Sequence, residues 1–106
     1  MTKIMIVEDD KIVSKELYNL LRSHEYDVVI LEDYENAKDT ILNSKCDLVL
    51  LDINIPYING ELLLKSIRKE SNVPVIMLTS ETSETHEVLS ITYGADDYIT
   101  KPYNPT

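Results

Sequence analysis

Short apolar runs alternate along the chain with segments whose apolar residues recur at helical spacing. The runs are almost uniformly apolar and do not alternate with polar residues. This pattern is typical of strands in a parallel sheet that is covered on both faces. Five strands are therefore predicted, at residues 3–7, 28–31, 48–51, 75–78 and 98–100.

Amphipathic helices are predicted between these strands. The first has apolar residues at i, i+4, i+7 and i+8 from Val13, with Asp10 as its cap and an end near His24. The second is marked by apolar positions at 34, 37 and 41, and the third by those at 63, 64 and 67. A weakly patterned fourth helix ends near Gly94. The alternation predicts a doubly wound α/β fold, a five-stranded parallel sheet with helices on both faces.

The composition narrows the classes of protein that fit. The chain has 106 residues, of which 43% are hydrophobic, so one domain with a real core is expected. Its net charge of −9 argues against nucleic-acid contact by this domain and is compatible with cation binding. The single cysteine, Cys46, excludes an internal disulfide, and two glycines are too few for a P-loop or dinucleotide fingerprint. With no apolar stretch long enough for a membrane span or a signal peptide, we expect a cytoplasmic protein.

Several side chains are expected to serve the fold alone. Trp and Phe are absent, so tyrosine supplies all of the aromatic bulk. Packing around the helices is predicted for Tyr18, Tyr26 and Tyr34. Three cationic residues lie outside the apolar face of the third helix, namely Lys65, Arg68 and Lys69.

Polar side chains follow four of the five predicted strands. Glu8 and Asp9 follow the first, Asp52 the third, Thr79 the fourth and Lys101 the fifth. Ligands of doubly wound folds bind at the carboxyl ends of the strands, so these residues are expected to meet. Carboxylates that hold a magnesium ion, a nucleophilic carboxylate, a hydroxyl and an ammonium are the parts of a phosphoryl-transfer site.

Four stretches carry a resemblance to a known family. They are Ile6–Asp10, Leu51–Pro56 with Asn59–Gly60, Met77–Ser80 and Gly94–Pro102. Together they resemble the response-regulator receiver domain of two-component signalling, over essentially the whole chain. The last stretch looks most like the OmpR/PhoB-type (winged-helix) transcriptional regulators. The resemblance implies a flavodoxin-like receiver fold with strand order 2-1-3-4-5.

The resemblance also implies a role for each site residue. Asp52 would accept a phosphoryl group from the phosphohistidine of a sensor histidine kinase. Mg²⁺ would be bound directly by Asp9 and Asp52, through water by Glu8, and by the backbone carbonyl of Asn54. Such a protein is a phosphorylatable switch that catalyses only its own phosphotransfer and autodephosphorylation.

The switch itself would follow from the charge that phosphorylation adds. Thr79 would hydrogen-bond the phosphoryl oxygens, Lys101 would pair with them, and Tyr98 would swing inward and change the face built from helix four and strand five. A cis peptide bond would join Lys101 to the following proline. Asn54 and Glu81 would tune autodephosphorylation, and we predict a labile phosphoryl group.

The chain is expected to be a receiver domain over residues 1–106 that stops before a fifth helix, which would bare apolar surface on one sheet face. The resemblance implies a C-terminal DNA-binding output domain in the intact protein, and it leaves homodimer formation on activation open. Two alternatives also stay open: a pseudo-receiver that binds partners without phosphorylation, and a receiver that only sequesters phosphoryl groups. A haloacid-dehalogenase-type phosphatase is disfavoured because Asn54 stands where its second aspartate would be.

Overall fold

A computed structural model describes residues 1–79 and 94–100 of the chain, without the side chains of Thr79 and Thr100. The elements run in the order β1 (Lys3–Val7), α1 (Lys11–Ser23), β2 (Asp27–Ile30), α2 (Ala37–Ser44), β3 (Leu48–Asp52), α3 (Gly60–Arg68), β4 (Val75–Thr79) and β5 (Asp97–Thr100). Each strand lies within one residue of its predicted bounds. The fourth predicted helix, before Gly94, lies outside the described residues.

The five strands form one sheet in the order β2-β1-β3-β4-β5. All four neighbouring pairs are parallel, which confirms the predicted topology. The chain moves from β1 outward to β2 and then returns to place β3 on the other side of β1. The crevice at the carboxyl ends of β1 and β3 is therefore the topological switch point, where such folds bind their ligands.

Successive residues of each strand feed two separate cores. In β1, Met5 and Val7 point to one face of the sheet, while Ile4 and Ile6 point to the other. Helices α2 and α3 cover the first face, and α1 covers the second. Burial on both faces explains why the strands read as continuous apolar runs rather than as alternating ones.

Polar caps fix the first turns of α1 and α3 next to the carboxyl edge of the sheet. The Asp10 carboxylate accepts hydrogen bonds from the backbone amides of Ile12 and Val13 at 2.9 and 3.2 Å, as the sequence predicts. The Asn59 side chain accepts from the amides of Glu61 and Leu62 at 2.8 and 3.3 Å. Each cap stabilises its helix by about 1 kcal/mol.

The α1 side of the sheet carries an apolar cleft of about 260 Å³. Among the described residues its walls are entirely apolar, and they come from α1 and from β3, β4 and β5. They include Leu20 and Leu21 of α1, together with Ile76 and Ile99 of the sheet. Ile99 is 41% exposed, so the cleft opens toward the β5 edge.

Tyr57, in the loop between β3 and α3, has a backbone conformation that disfavours a side chain. Its φ is +72°, and its side chain is 77% exposed and so contributes little packing. A left-handed conformation costs a non-glycine residue about 1–2 kcal/mol. Glycine avoids this cost but loses roughly 0.5–1 kcal/mol through its freer unfolded state. We therefore expect Tyr57→Gly to raise the free energy of unfolding by about 0.5–1 kcal/mol, measured from urea denaturation.

Tyr57→Ala is the matched control, because it removes the same ring but keeps a Cβ atom at positive φ. It is expected to give no gain in stability. An equal gain in both variants would mean that the exposed ring, rather than the backbone, is the source of the cost.

Candidate functional site

Three carboxylates meet at the carboxyl edge of the sheet. In the register of β1 and β3, Val7 lies beside Leu51, so the next residues along each strand, Glu8 and Asp52, become neighbours. Asp9 follows on the same loop. One carboxylate oxygen from each of the three residues lies within 4.8 Å of the other two. The structure thus brings together the acidic residues that the sequence placed at two separate strand ends.

Burial divides these three residues into two kinds. Glu8 and Asp52 are only 1% and 3% exposed, whereas Asp9 faces solvent. The backbone amide of Asp10 donates a hydrogen bond to Glu8 Oε2 at 3.3 Å. Holding several carboxylates so close together, two of them away from water, is unfavourable unless a cation neutralises them. The three carboxylates could therefore hold a positive ion.

The geometry of the donor set suits a small hard cation. Mg²⁺ binds six oxygens at about 2.0–2.1 Å, which places neighbouring oxygens about 3 Å apart and opposite ones about 4.2 Å apart. The 4.8 Å limit that encloses the three carboxylate oxygens is close to that range. Since Asp9 is exposed, the cluster is open to solvent on that side.

Gly60, the first residue of α3, packs directly against the backbone of Asp52. Its amide donates to the carbonyl oxygen of Ile53 at 2.7 Å, which ties the start of α3 to the end of β3. A Cβ atom at Gly60 would lie 2.1 Å from the backbone oxygen of Asp52 and 2.8 Å from Ile53 Cα. Only glycine permits this approach. In the sequence, Gly60 stands out only as the end of a stretch that carries the family resemblance, and its contact with Asp52 is not predicted.

Tyr34 stands beside the acidic cluster on the β2 side. It packs partly against the core under α2 and α3 and also lines a cleft of about 570 Å³ that contains Glu8 and Asp9. Burial, followed by the charges of Asp9, Glu8, Asp52 and Glu32, raises the pKa of Tyr34 to about 12. Its phenol therefore keeps its proton and presents a neutral hydroxyl to the cleft. The packing role predicted for Tyr34 is observed, but its place at the site was missed.

The structure describes some of the other predicted site residues but not all of them. Thr79 ends β4, one residue beyond Leu78, which pairs with Asp52 in the sheet register. Asn54 is exposed and forms a bridge to Asn59 in the loop after β3. Tyr98 is half-buried on β5 and packs against the core under α2 and α3. Lys101, Glu81 and the proposed cis peptide lie outside the described residues.

A family comparison decides the identity of this arrangement. Residues 4–106 match the sequence pattern of the response regulator receiver domain. The chain belongs to the response regulator receiver family. A receiver domain is a phospho-acceptor switch, in agreement with the resemblance found in the sequence.

Relatives of this receiver domain are named as transcriptional regulators. It is 42% identical over 104 residues to the transcriptional regulatory protein CpxR of Escherichia coli K12. It is 40% identical over 104 residues to the uncharacterized transcriptional regulatory protein YvcP of Bacillus subtilis. Both matches cover 98% of this chain but only 44% of the relative. The resemblance to OmpR/PhoB-type regulators is thus confirmed, and the chain spans less than half the length of these relatives.

Solved receiver structures have the same fold. The N-terminal receiver domain of RstA from Klebsiella pneumoniae superposes with a TM-score of 0.91 at 38% identity, covering 98% of this chain and 89% of that one. A two-component response regulator from Clostridium difficile superposes with a TM-score of 0.91 at 29% identity, covering 98% of this chain and 86% of that one.

None of the helices in residues 1–79 and 94–100 has the length and apolar character of a membrane span.

Proposed function

We propose that Asp52 is the phospho-acceptor of this receiver and that Mg²⁺ is held beside it by Asp9 and Asp52, with Glu8 acting through water. The observation that carries the proposal is the convergence of these three carboxylates at the switch point of the sheet. Asp52 is buried and backed by α3, so its carboxylate is oriented by the fold. The backbone carbonyl of Asn54 is proposed as a further ligand of the ion.

In the proposed reaction an Asp52 carboxylate oxygen attacks the phosphorus atom of a phosphohistidine. A phosphorus–oxygen bond forms, the phosphorus–nitrogen bond breaks, and the imidazole leaves with the bonding electron pair and takes up a proton. When bound, Mg²⁺ offsets the negative charge on the carboxylates and on the transferring phosphoryl group. Asp9 stays exposed at the mouth of the site, where the incoming group arrives.

Phosphorylation would add a charge of about −1.5 to −2 at Asp52. We propose that Thr79 and Lys101 respond to this charge and that Tyr98 then repacks, which changes the face formed by the fourth helix and β5. Such a change shifts an existing two-state equilibrium. Asn54 and Glu81 are the proposed tuning residues for loss of the phosphoryl group by hydrolysis.

The function of the intact protein is also a proposal. Membership of the receiver family supports a sensor histidine kinase as phosphodonor, and the names of the relatives support a DNA-binding output domain that follows the receiver. Homodimer formation on activation would be one way to pass the signal on. We further propose that a fifth helix after residue 106 covers the apolar cleft on the α1 side, since Leu20, Leu21 and Ile99 form an apolar surface on which it can pack.

The test is intact-mass spectrometry after incubation with acetyl phosphate and Mg²⁺, a small donor that needs no kinase. The chain is expected to gain one phosphoryl group, and Asp52→Asn is expected to gain none, because the amide lacks the nucleophilic oxygen charge. Omitting Mg²⁺ should also prevent the gain. Asp33→Asn, an exposed acid outside the cluster, is the control and should be phosphorylated normally.

The outcomes separate the alternatives. A receiver that stays unmodified while folded, both as this chain and extended through a fifth helix, would support a pseudo-receiver that acts by binding partners. Phosphorylation of the Asp52→Asn variant would show that another residue is the acceptor and would overturn the assignment.

A further inference from the structure

Arg68, the last residue of α3, is built into a hydrogen-bond hub at the edge of the sheet opposite the acidic cluster. Its Nε donates to the carbonyl of Gly94 at 2.8 Å. Its Nη1 donates to the carbonyls of Val73 and Ser71 at 2.6 and 3.3 Å, and Nη2 to Asp96 Oδ2 at 3.0 Å. The side chain is only 17% exposed. A cation that is merely solvated at the surface would not need four hydrogen-bond acceptors from two separate segments of the chain.

Asp96 links this hub to the first residues of two strands. The same oxygen, Oδ2, accepts a hydrogen bond from the backbone amide of Val75 at 2.8 Å. The Asp96 amide in turn donates to the carbonyl of Val75 at 2.9 Å. Asp96 is therefore paired with Val75 through both its side chain and its backbone, at the point where β4 and β5 enter the sheet.

Gly94 makes the close approach of Arg68 possible. Its φ is +104°, a conformation that side chains rarely adopt. A Cβ atom there would lie 2.8 Å from Arg68 Cγ. The arginine stem thus occupies the space that a side chain at position 94 would need, and its guanidinium reaches past the glycine to Asp96.

Among the described strands, β5 has a neighbour on one side only. It is an edge strand of four residues, Asp97–Thr100, paired only with β4 in the described sheet. Register is strongly specified where a strand buries one face only, but β5 presents a large apolar side chain to each face, Tyr98 to one and Ile99 to the other. A slip by one residue turns every side chain to the opposite face. Such a slip would move Tyr98 from the α2–α3 face to the α1 face and Ile99 the other way.

We propose that Arg68 is a positioning residue for the switch. By holding Gly94 and Asp96 against Val75, it fixes the register of β5 and so the face on which Tyr98 lies. The amino-terminal ends of β4 and β5 are then anchored, so that on phosphorylation β5 keeps its register while Thr79, at the carboxyl end of β4, and the side chain of Tyr98 respond. This second step rests on the proposed function, whereas the control of register does not.

The test compares amide hydrogen exchange, followed by NMR, in the unmodified protein and in Arg68→Met. Methionine keeps much of the apolar stem and removes every donor of the guanidinium. The amides of β5 are expected to exchange at least 10-fold faster, while those of β1 and β3 change by less than 3-fold. Arg68→Lys retains the charge but cannot reach all four acceptors, so it should restore protection only in part.

Arg22→Met is the matched control, because Arg22 is exposed on α1 and its guanidinium lies over the Tyr18 ring, 5.8 Å from the centroid. It should leave β5 exchange unchanged. Uniformly faster exchange in all strands of Arg68→Met, or no change in β5, would overturn the proposal. If Arg68→Met does not fold, Asp96→Asn tests the link to Asp96 alone: it keeps an acceptor for Val75, removes the ion pair with Arg68, and should speed exchange in β5 more than in β1 and β3.

A second readout is the resonance of Tyr98 before and after treatment with acetyl phosphate and Mg²⁺. Arg68→Met should gain the phosphoryl group at a rate within about 3-fold of the unmodified protein and show a reduced shift at Tyr98. An unreduced shift would contradict the role in switching. Failure of the unmodified protein itself to be phosphorylated would count against the proposed function, and the exchange data would still decide the role of Arg68.

Discussion

Replacing Gly60 with alanine is expected to lower the free energy of unfolding by about 2–3 kcal/mol, because forced overpacking carries a cost of this size. The added Cβ would meet three backbone atoms of Asp52 and Ile53, none farther than 2.9 Å, and backbone cannot rotate away as a flexible side chain can. The sign of the change in stability distinguishes a hindered position from an unhindered one. At an unhindered helix position, alanine would stabilise the chain by roughly 1 kcal/mol relative to glycine.

Urea denaturation measures this effect, with Ser66→Ala in the same helix as the control. Ser66 is half-buried and away from β3, so its replacement should change stability little or raise it. Gly60→Ala should also slow phosphorylation by acetyl phosphate, since the start of α3 must move and Asp52 moves with it. A stabilised Gly60→Ala protein would show that α3 does not press on β3 as described.

Replacing Asp9 with asparagine is expected to change ion affinity and stability in opposite directions. Loss of even an outer partner of a metal ligand typically weakens metal binding 10- to 100-fold, so loss of the Asp9 charge should weaken Mg²⁺ binding by at least about that factor. In the ion-free protein, the same change removes repulsion among three carboxylates that lie within 4.8 Å. We expect a gain in stability on the order of 1 kcal/mol, since Asp9 is exposed and partly screened.

Calorimetric titration with Mg²⁺ and urea denaturation in a chelator measure the two effects. Glu32→Gln is the control, because it removes the same charge from an exposed residue that lines the neighbouring cleft but lies outside the three-carboxylate cluster. It should change both quantities much less than Asp9→Asn does. A destabilised ion-free Asp9→Asn protein would indicate that Asp9 supports the fold through contacts and not only the ion.

The strands and the acidic cluster could be predicted from the sequence because each rests on a local signal. The run Leu48–Asp52 is uniformly apolar until it reaches one carboxylate, and a parallel topology then forces that carboxylate toward Glu8. The cap at Asp10 is equally local. Predictions of this kind need only the order of residues along the chain and the rule that strand ends share an edge.

What the sequence did not reveal depends on distances between segments. Arg68 was predicted only to lie outside the apolar face of its helix, yet its guanidinium is bound by carbonyls from two other segments. Tyr34 was assigned to packing, and its closeness to three carboxylates becomes visible only in three dimensions. The contact between Gly60 and Asp52 is set by the angle at which α3 meets β3, which no spacing along the chain encodes.

Glu8 and Asp52 are far apart in the sequence, so assembly of the acidic cluster depends on the folding of the chain. These residues become neighbours only after β3 has inserted beside β1, on the side that β2 leaves open. Pairing between distant segments is a slow step of folding. A partly folded chain therefore has no assembled acidic cluster, and under the proposed function its phosphorylation would report that the central strands have docked.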